Sequence, residues 1–244
     1  MRNKRIMRIF QINGGVKGST GKIMLGIADV AKSMGHEVMC ASPITTTNRD
    51  ADENCGYYRI GTFNSRRLNV ALARITGFNG GFAVIATYKL LKKIKQFKPD
   101  ILHLHNLHDS YINLPMLFSY IKKNKVPVVW TLHDCWAFTG QCPYFTMVDC
   151  DKWKAGCHNC PQYRAYPSSI FDNTKIMWKL KKCWFTNVEN LTIVTPSQWL
   201  ANLVQESYLK DYQIKVINNG IDLNIFKPTE SNGDLFGGGA MKNM

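Results

Sequence analysis

The stretch RIFQINGGVKGSTGKIMLGIADVAKSMGHEVMCAS, residues 8–42, decides the fold class. Its first six residues are apolar and partly alternating, which reads as a strand. Gly14, Gly15, Gly18 and Gly21 then mark a turn. A helix should start near Ser19 or Thr20, either of which is suited to cap it. Ile23, Ile27, Val30, Ala31 and Met34 recur at helical spacing, and Gly35 supplies the stop. HEVMCAS, 36–42, is a second strand. Strand, turn, helix and strand make one βαβ unit, which predicts a parallel sheet with right-handed crossovers.

Outward from this unit the alternation continues. Residues 43–81 are rich in Thr, Asn, Gly and Arg and are expected to run irregularly, with one short strand at 57–60. A helix is predicted over 82–97, with Val84, Tyr88, Leu91 and Ile94 on one side, mostly lysine on the others, and Pro99 breaking it. ILHLH, 101–105, is a strand; Asn113-Leu114-Pro115 opens a helix with proline in its first turn. VPVVWTL, 126–132, is a strand apolar enough to be buried on both faces. After a Cys-rich loop of roughly 35 residues come a helix at 172–185, a strand at 191–195, a helix from Ser197 and a strand at 214–217. The pattern predicts a doubly wound, mostly parallel, Rossmann-like α/β sheet. Beyond Ser231 the chain is Gly-rich without periodicity, so 231–244 is expected to be a disordered or aberrant tail.

The composition agrees with a globular chain. Of 244 residues, 45% are hydrophobic and 11% aromatic, which excludes a disordered class. No apolar run approaches the ~20 residues that cross a bilayer, and the basic N-terminus lacks the apolar core of a signal peptide. A cytoplasmic protein is expected. The 31 Lys+Arg against 17 Asp+Glu leave a formal charge of +14. These cations are scattered and no nucleic-acid signature accompanies them, so nucleic acid is not an expected partner. A phosphorylated substrate, an anionic membrane surface or solubility alone would each suit the charge. The segment from Trp178 to Phe185 mixes aromatics with lysines. Core aromatics beneath a solvated lysine face are the commoner reading of such a helix; a face resting on an anionic bilayer, at the inner side of the cell membrane, is the alternative.

The glycine turn matches neither nucleotide signature. Its spacing is GG-x-x-G-x-x-G rather than G-x-G-x-x-G, and Val38-Met39-Cys40-Ala41 offers no acid for a ribose hydroxyl. Gly15 to Gly21 is one residue too long for a P-loop, and Ile23 stands where a magnesium-binding hydroxyl belongs. An NAD-dependent oxidoreductase is therefore disfavoured. What remains is a backbone loop feeding a helix N-terminus, able to hold phosphate or sugar hydroxyls, or glycine serving only tight packing. His105 closes the third major strand and His108-Asp109 follow at once; the next strand ends in His133-Asp134. Open α/β sheets place ligands at this carboxyl edge. His103 and His105 are expected on opposite faces of their strand. Cys142, Cys150, Cys157 and Cys160 supply enough thiolates for a closed tetrahedral zinc site, structural rather than catalytic, with His158 spare; reduced buried thiols or a redox C-x-x-C are the alternatives.

Several stretches together resemble the N-terminal half of a family 4 glycosyltransferase of the two-domain GT-B type, over about residues 6–230. They are the Gly-Gly loop, GHEV (35–38), PDILHLHN (99–106), VVWTLHDCWAFTG (128–140), IVTPSQWLA (193–201) and VINNGIDLNIFKP (216–228). The Trp-His-Asp-Cys region with its cysteines is similar to transferases of the colanic-acid, surface-polysaccharide subgroup. The resemblance implies an acceptor-binding domain over 1–230, acting on a sugar or lipid-linked sugar, with a nucleotide-sugar donor held by a second domain. It places Gly14, Gly15 and Gly18 beside the donor phosphates or the acceptor, His105 on the reacting sugar, His133 and Asp134 along the same cleft, and Ser197 after the last cleft-edge strand. Transfer would retain anomeric configuration and need no metal. A full transferase of this kind continues for ~150 residues or more, with basic phosphate-binding residues and an E-x7-E pair; here the family pattern stops after Pro228. The expectation is a truncated chain with little activity of its own, or a non-catalytic binding domain that needs a separate donor-binding partner.

Overall fold

In the computed structural model, which describes residues 5–49, 56–221 and 223, seven strands form one sheet. They are β1 (Arg8–Ile12), β2 (Glu37–Pro43), β3 (Tyr57–Ile60), β4 (Ile101–Leu104), β5 (Val128–Thr131), β6 (Leu191–Thr195) and β7 (Gln213–Val216), in the order β3-β2-β1-β4-β5-β6-β7. Every neighbouring pair is parallel, so the sheet is wholly rather than mostly parallel. The chain winds outward from β1 to β3, then returns to the other side of β1 with β4. The order reverses between β1 and β4, and at such a switch point the two connecting loops diverge and leave a crevice at the carboxyl edge.

Among the described residues six helices connect the strands: α1 (Ser19–Ser33), α2 (Phe63–Thr76), α3 (Val84–Phe97), α4 (Leu114–Asn124), α5 (Thr174–Phe185) and α6 (Gln198–Gln205). Phe10, Ile12, Leu102 and Leu104 pack with Leu90, Ile94, Leu117 and Ile121 in the main core. Gln11 and Cys40, which stand side by side in register, lie on the other face, where Met24 and Ala28 of α1 cover them. Phe118, Trp130 and Phe185 form an aromatic knot with ring centroids 4.7–5.5 Å apart.

The residues on α1 and α3 differ from the expected faces. Met24, Ala28 and Ala31 go inward on α1, while Ile27, Val30 and Met34 are exposed. On α3 the buried set is Ala86, Thr87, Leu90 and Ile94, leaving Val84 and Tyr88 outside. Both helices carry apolar residues on two faces, and the inward face of each mixes small residues with one or two large ones. Neither Ser19 nor Thr20 caps α1. Its N-cap is Gly18 at φ 94°, without a side-chain cap, while Thr20 Oγ1 accepts from Asn13 Nδ2. The stretch expected to be irregular contains α2, held by a Thr62/Ser65 capping box and stopped by Gly77 at φ 69°. Only Ala73 of α2 is buried, so its sequence carries little periodicity. Of the α5 aromatics Trp178 and Phe185 are buried, as is Lys181, and Trp184 is half-buried against the core. The proposed tail, 231–244, and most of 216–228 beyond Ile221 lie outside the described residues.

Candidate active site

A cleft of about 540 Å³ opens at the carboxyl edge of the switch point. Gly14, Gly15 and Gly18 of the β1–α1 turn form one wall; Asn106, His108 and Asp109 after β4, and His133 and Asp134 after β5, form the facing wall. Thr45–Thr47, Arg66 of α2 and Tyr166 close its rim. The glycine turn is tight by necessity: a Cβ on Gly21 would stand 2.4 Å from the Val16 carbonyl, so α1 can start this close to its own loop only with glycine there.

His103 and His105 lie on the same face of β4, with ring centroids 4.2 Å apart. The expectation of opposite faces is corrected by the pleat, since residues two apart share a side. That face is also the face of Gln11, which pairs with His103 in register. Gln11 Nε2 donates to the Met24 carbonyl at 3.1 Å, which turns its Oε1 toward His105 Nε2 at 3.1 Å. His105 Nε2 therefore carries the proton, and its Nδ1 accepts from His133 Nε2 at 3.2 Å. Burial holds the His105 pKa well below the usual value, aided by His103 and His133. Burial brings His103 down to about 4, again with help from His133. Burial and the His108 charge also lower His133, outweighing Asp134. The chain Gln11–His105–His133 is thus neutral and fixed in tautomer, leaving His133 Nδ1 with a free lone pair.

The second cluster is charged. His108 sits between two carboxylates, Nδ1 at 3.4 Å from Asp109 and Nε2 at 3.3 Å from Asp134. Burial alone would lower its pKa, but the two adjacent carboxylates raise it to about 9. Burial would likewise raise Asp109, yet His108, the 2.7 Å bond from Tyr166 and the charge of Arg66 keep it below the usual carboxylate range. Asp109 adopts φ 77°, a left-handed backbone that Asp tolerates better than most residues. Asp134 Oδ1 also accepts from the Trp136 amide at 2.8 Å.

A family model for glycosyltransferase family 4 matches residues 21–225. The chain belongs to glycosyltransferase family 4. It is 34% identical over 132 residues to WcaC of Escherichia coli (strain K12), a glycosyl transferase assigned to colanic acid biosynthesis; the match covers 51% of this chain and 32% of WcaC. In fold it is similar to sucrose-phosphate synthase (tll1590) from Thermosynechococcus elongatus, with TM-score 0.55 and 12% identity over 91% of this chain and 50% of that one. The chain thus spans about a third of its curated relative and half of its structural neighbour. The parallel sheet is that of one GT-B domain.

Within this family 4 domain the predicted residues fall into three places. Gly14, Gly15, Gly18, His133 and Asp134 line the cleft. His105 lies behind it, 1% exposed, and reaches it only through His133. Ser197 follows β6 but spends its Oγ on the Leu200 amide, capping α6. Sequence reasoning passed over Gln11 and Asn13, although two polar residues in a strand expected to be buried were a usable signal. Asn13 bonds the Gly15 carbonyl, Thr20 and the Asn106 amide, tying the two walls together. Arg66 lies on the helix the sequence hid, and Tyr166 within the Cys-rich connection, so neither could be placed in advance. Cys142, Cys150, Cys157 and Cys160 line a separate small hollow behind that connection.

Proposed function

We propose that these residues form the acceptor-side domain of a retaining, nucleotide-sugar-dependent glycosyltransferase of surface-polysaccharide assembly, acting on a sugar or lipid-linked sugar hydroxyl. The observation that carries this reading is the meeting of the glycine turn with His133 and the His108–Asp134 pair at the carboxyl edge of one switch point. A neutral His133, its Nε2 proton committed to His105, offers Nδ1 as acceptor to a sugar hydroxyl. His105 and Gln11 are positioning residues that hold that tautomer. Asp134, turned by His108 and the Trp136 amide, supplies a second acceptor. Glycines at the turn let a substrate approach the backbone closely.

Lys17 and Arg66 are the Lys and Arg side chains of this cleft among the described residues, and Arg66 faces Asp109 at 3.8 Å. A departing nucleoside diphosphate needs more preorganised positive charge than that. We infer that the donor is held by a second domain and that this 244-residue chain binds acceptor without turning over. A radioactive sugar-transfer assay with lipid-linked acceptor, run beside equilibrium binding of the acceptor, tests both parts. Binding that weakens roughly 5- to 30-fold in His133→Ala, the loss of about one to two kcal/mol, with no transfer by the purified chain, is expected. Turnover by the chain alone would overturn the division of labour; binding unaffected by His133→Ala would overturn the site.

A further inference from the structure

The connection from β5 to α5 is long and contains only three single-turn 3₁₀ helices, Trp136–Phe138, Thr146–Val148 and Lys152–Lys154. Connections of this length without regular structure need something else to hold them. Phe138, Phe145 and Trp153 pack inside it, with centroids 4.9 and 5.2 Å apart, and Phe145 and Trp153 share one hollow with four cysteines. We propose that Cys142, Cys150, Cys157 and Cys160 hold one thiophilic divalent cation, zinc by its preference for four sulfurs, as a structural staple that keeps Tyr166 and Asp134 at the cleft.

Three observations support this site. All four cysteines line one hollow, although they come from three separate turns of the chain. Backbone amides are aimed at the sulfurs: Gly140 N donates to Cys157 Sγ at 3.1 Å, and the Gln162 amide to Cys160. A Cβ on Gly140 would lie 2.9 Å from Cys157 Cβ and 2.6 Å from the Thr174 carbonyl, so glycine is what lets that amide come so close. Lastly, Lys181 is fully buried, its Nζ donating to the Trp136 carbonyl and lying 3.6 Å over the Trp136 ring. Burial pushes its pKa down to about 7, against the opposing pull of Cys157, Cys142 and Asp134. A four-thiolate zinc centre, net −2, would hold Lys181 in its charged form. Among the described residues no three potential ligands yet surround one point. Cys142 and Cys160 share a hydrogen bond, and zinc would replace it by drawing the four sulfurs to about 3.8 Å apart, as bonds of ~2.3 Å in a tetrahedron require. His158 Nδ1 is taken by the Gly156 carbonyl at 3.0 Å.

The full chain, purified under reducing conditions without chelator, is to be assayed for metal by mass spectrometry and for reactive thiols before and after chelation. We expect about one zinc per chain and the release of four additional reactive thiols on chelation. Cobalt substitution should give the charge-transfer and d–d bands of a tetrahedral thiolate site. Cys157→Ser with Cys160→Ser should lose the metal, whereas Cys183→Ser, at an exposed position outside the hollow, should keep it. Metal-free protein whose thiols react alike with and without chelator, and which gives no cobalt–thiolate bands, would overturn the proposal whether or not the double variant folds.

Discussion

His108 is the histidine of the cleft that two carboxylates hold protonated. Its folded pKa of about 9 stands above the ordinary 6.5 because two carboxylates outweigh burial. The folded state therefore binds the proton more tightly than the unfolded chain, and the stabilisation is complete below about pH 6.5 and lost as pH rises through about 9. The stability advantage of wild type over His108→Gln, measured by urea unfolding, should shrink across that window by an amount on the order of 3 kcal/mol. Groups common to both proteins cancel in the difference. An advantage that stays flat from pH 6 to 9.5 would mean that His108 is neutral between its carboxylates. The sequence showed His108, Asp109, His133 and Asp134 as strand-end neighbours, but not which histidine would be charged. That distinction depends on Gln11, which reaches His105 from 94 residues away, and on His133, which meets His105 across neighbouring strand ends.

At the scale of the element, two glycines of α1 behave oppositely. Gly21 has no room for a Cβ, which would meet Val16 backbone atoms at 2.4 Å, whereas a Cβ on Gly26 meets nothing within 4 Å. Gly21→Ala should destabilise by roughly 1–3 kcal/mol through backbone displacement. Gly26→Ala should stabilise by about 0.5–1 kcal/mol through helix propensity. Thermal and urea melts of the two variants check this, and equal effects of either sign would show that the β1–α1 turn is not packed as described. The strands and helices around this turn were legible because parallel strands are apolar throughout and end at glycine, proline or a polar pair. The inward faces of α1 and α3 were not, since both helices carry bulky apolar residues on their outer sides as well, with alanine and threonine among the inner ones. For α2 the difficulty is different. A helix that buries little of itself leaves its caps, Thr62 and Gly77, as its main sequence signal.

At the scale of the whole molecule, hollows of similar size lie at opposite edges of the sheet among the described residues. One of about 550 Å³ lies among the starts of β4 to β7, lined by Ile101, Val128, Leu191 and Gln213 with Glu189 and Asp211. The other, at the carboxyl edge, gathers the glycine turn, the neutral histidine relay and the charged His108 cluster. Strand polarity favours the second, because loops of a parallel sheet diverge there and bring groups from distant parts of the chain together. Acidic residues and strand starts at the first provide no comparable convergence. A lipid-linked sugar analogue with a photoreactive group on the sugar, irradiated with the 244-residue chain and mapped by peptide mass spectrometry, separates the two. Labels on residues 14–20, 106–109 or 133–134, competed away by unlabelled acceptor, are the expected result. Labels concentrated at 188–192 or 211–213 would place the acceptor beneath the sheet and contradict the assignment.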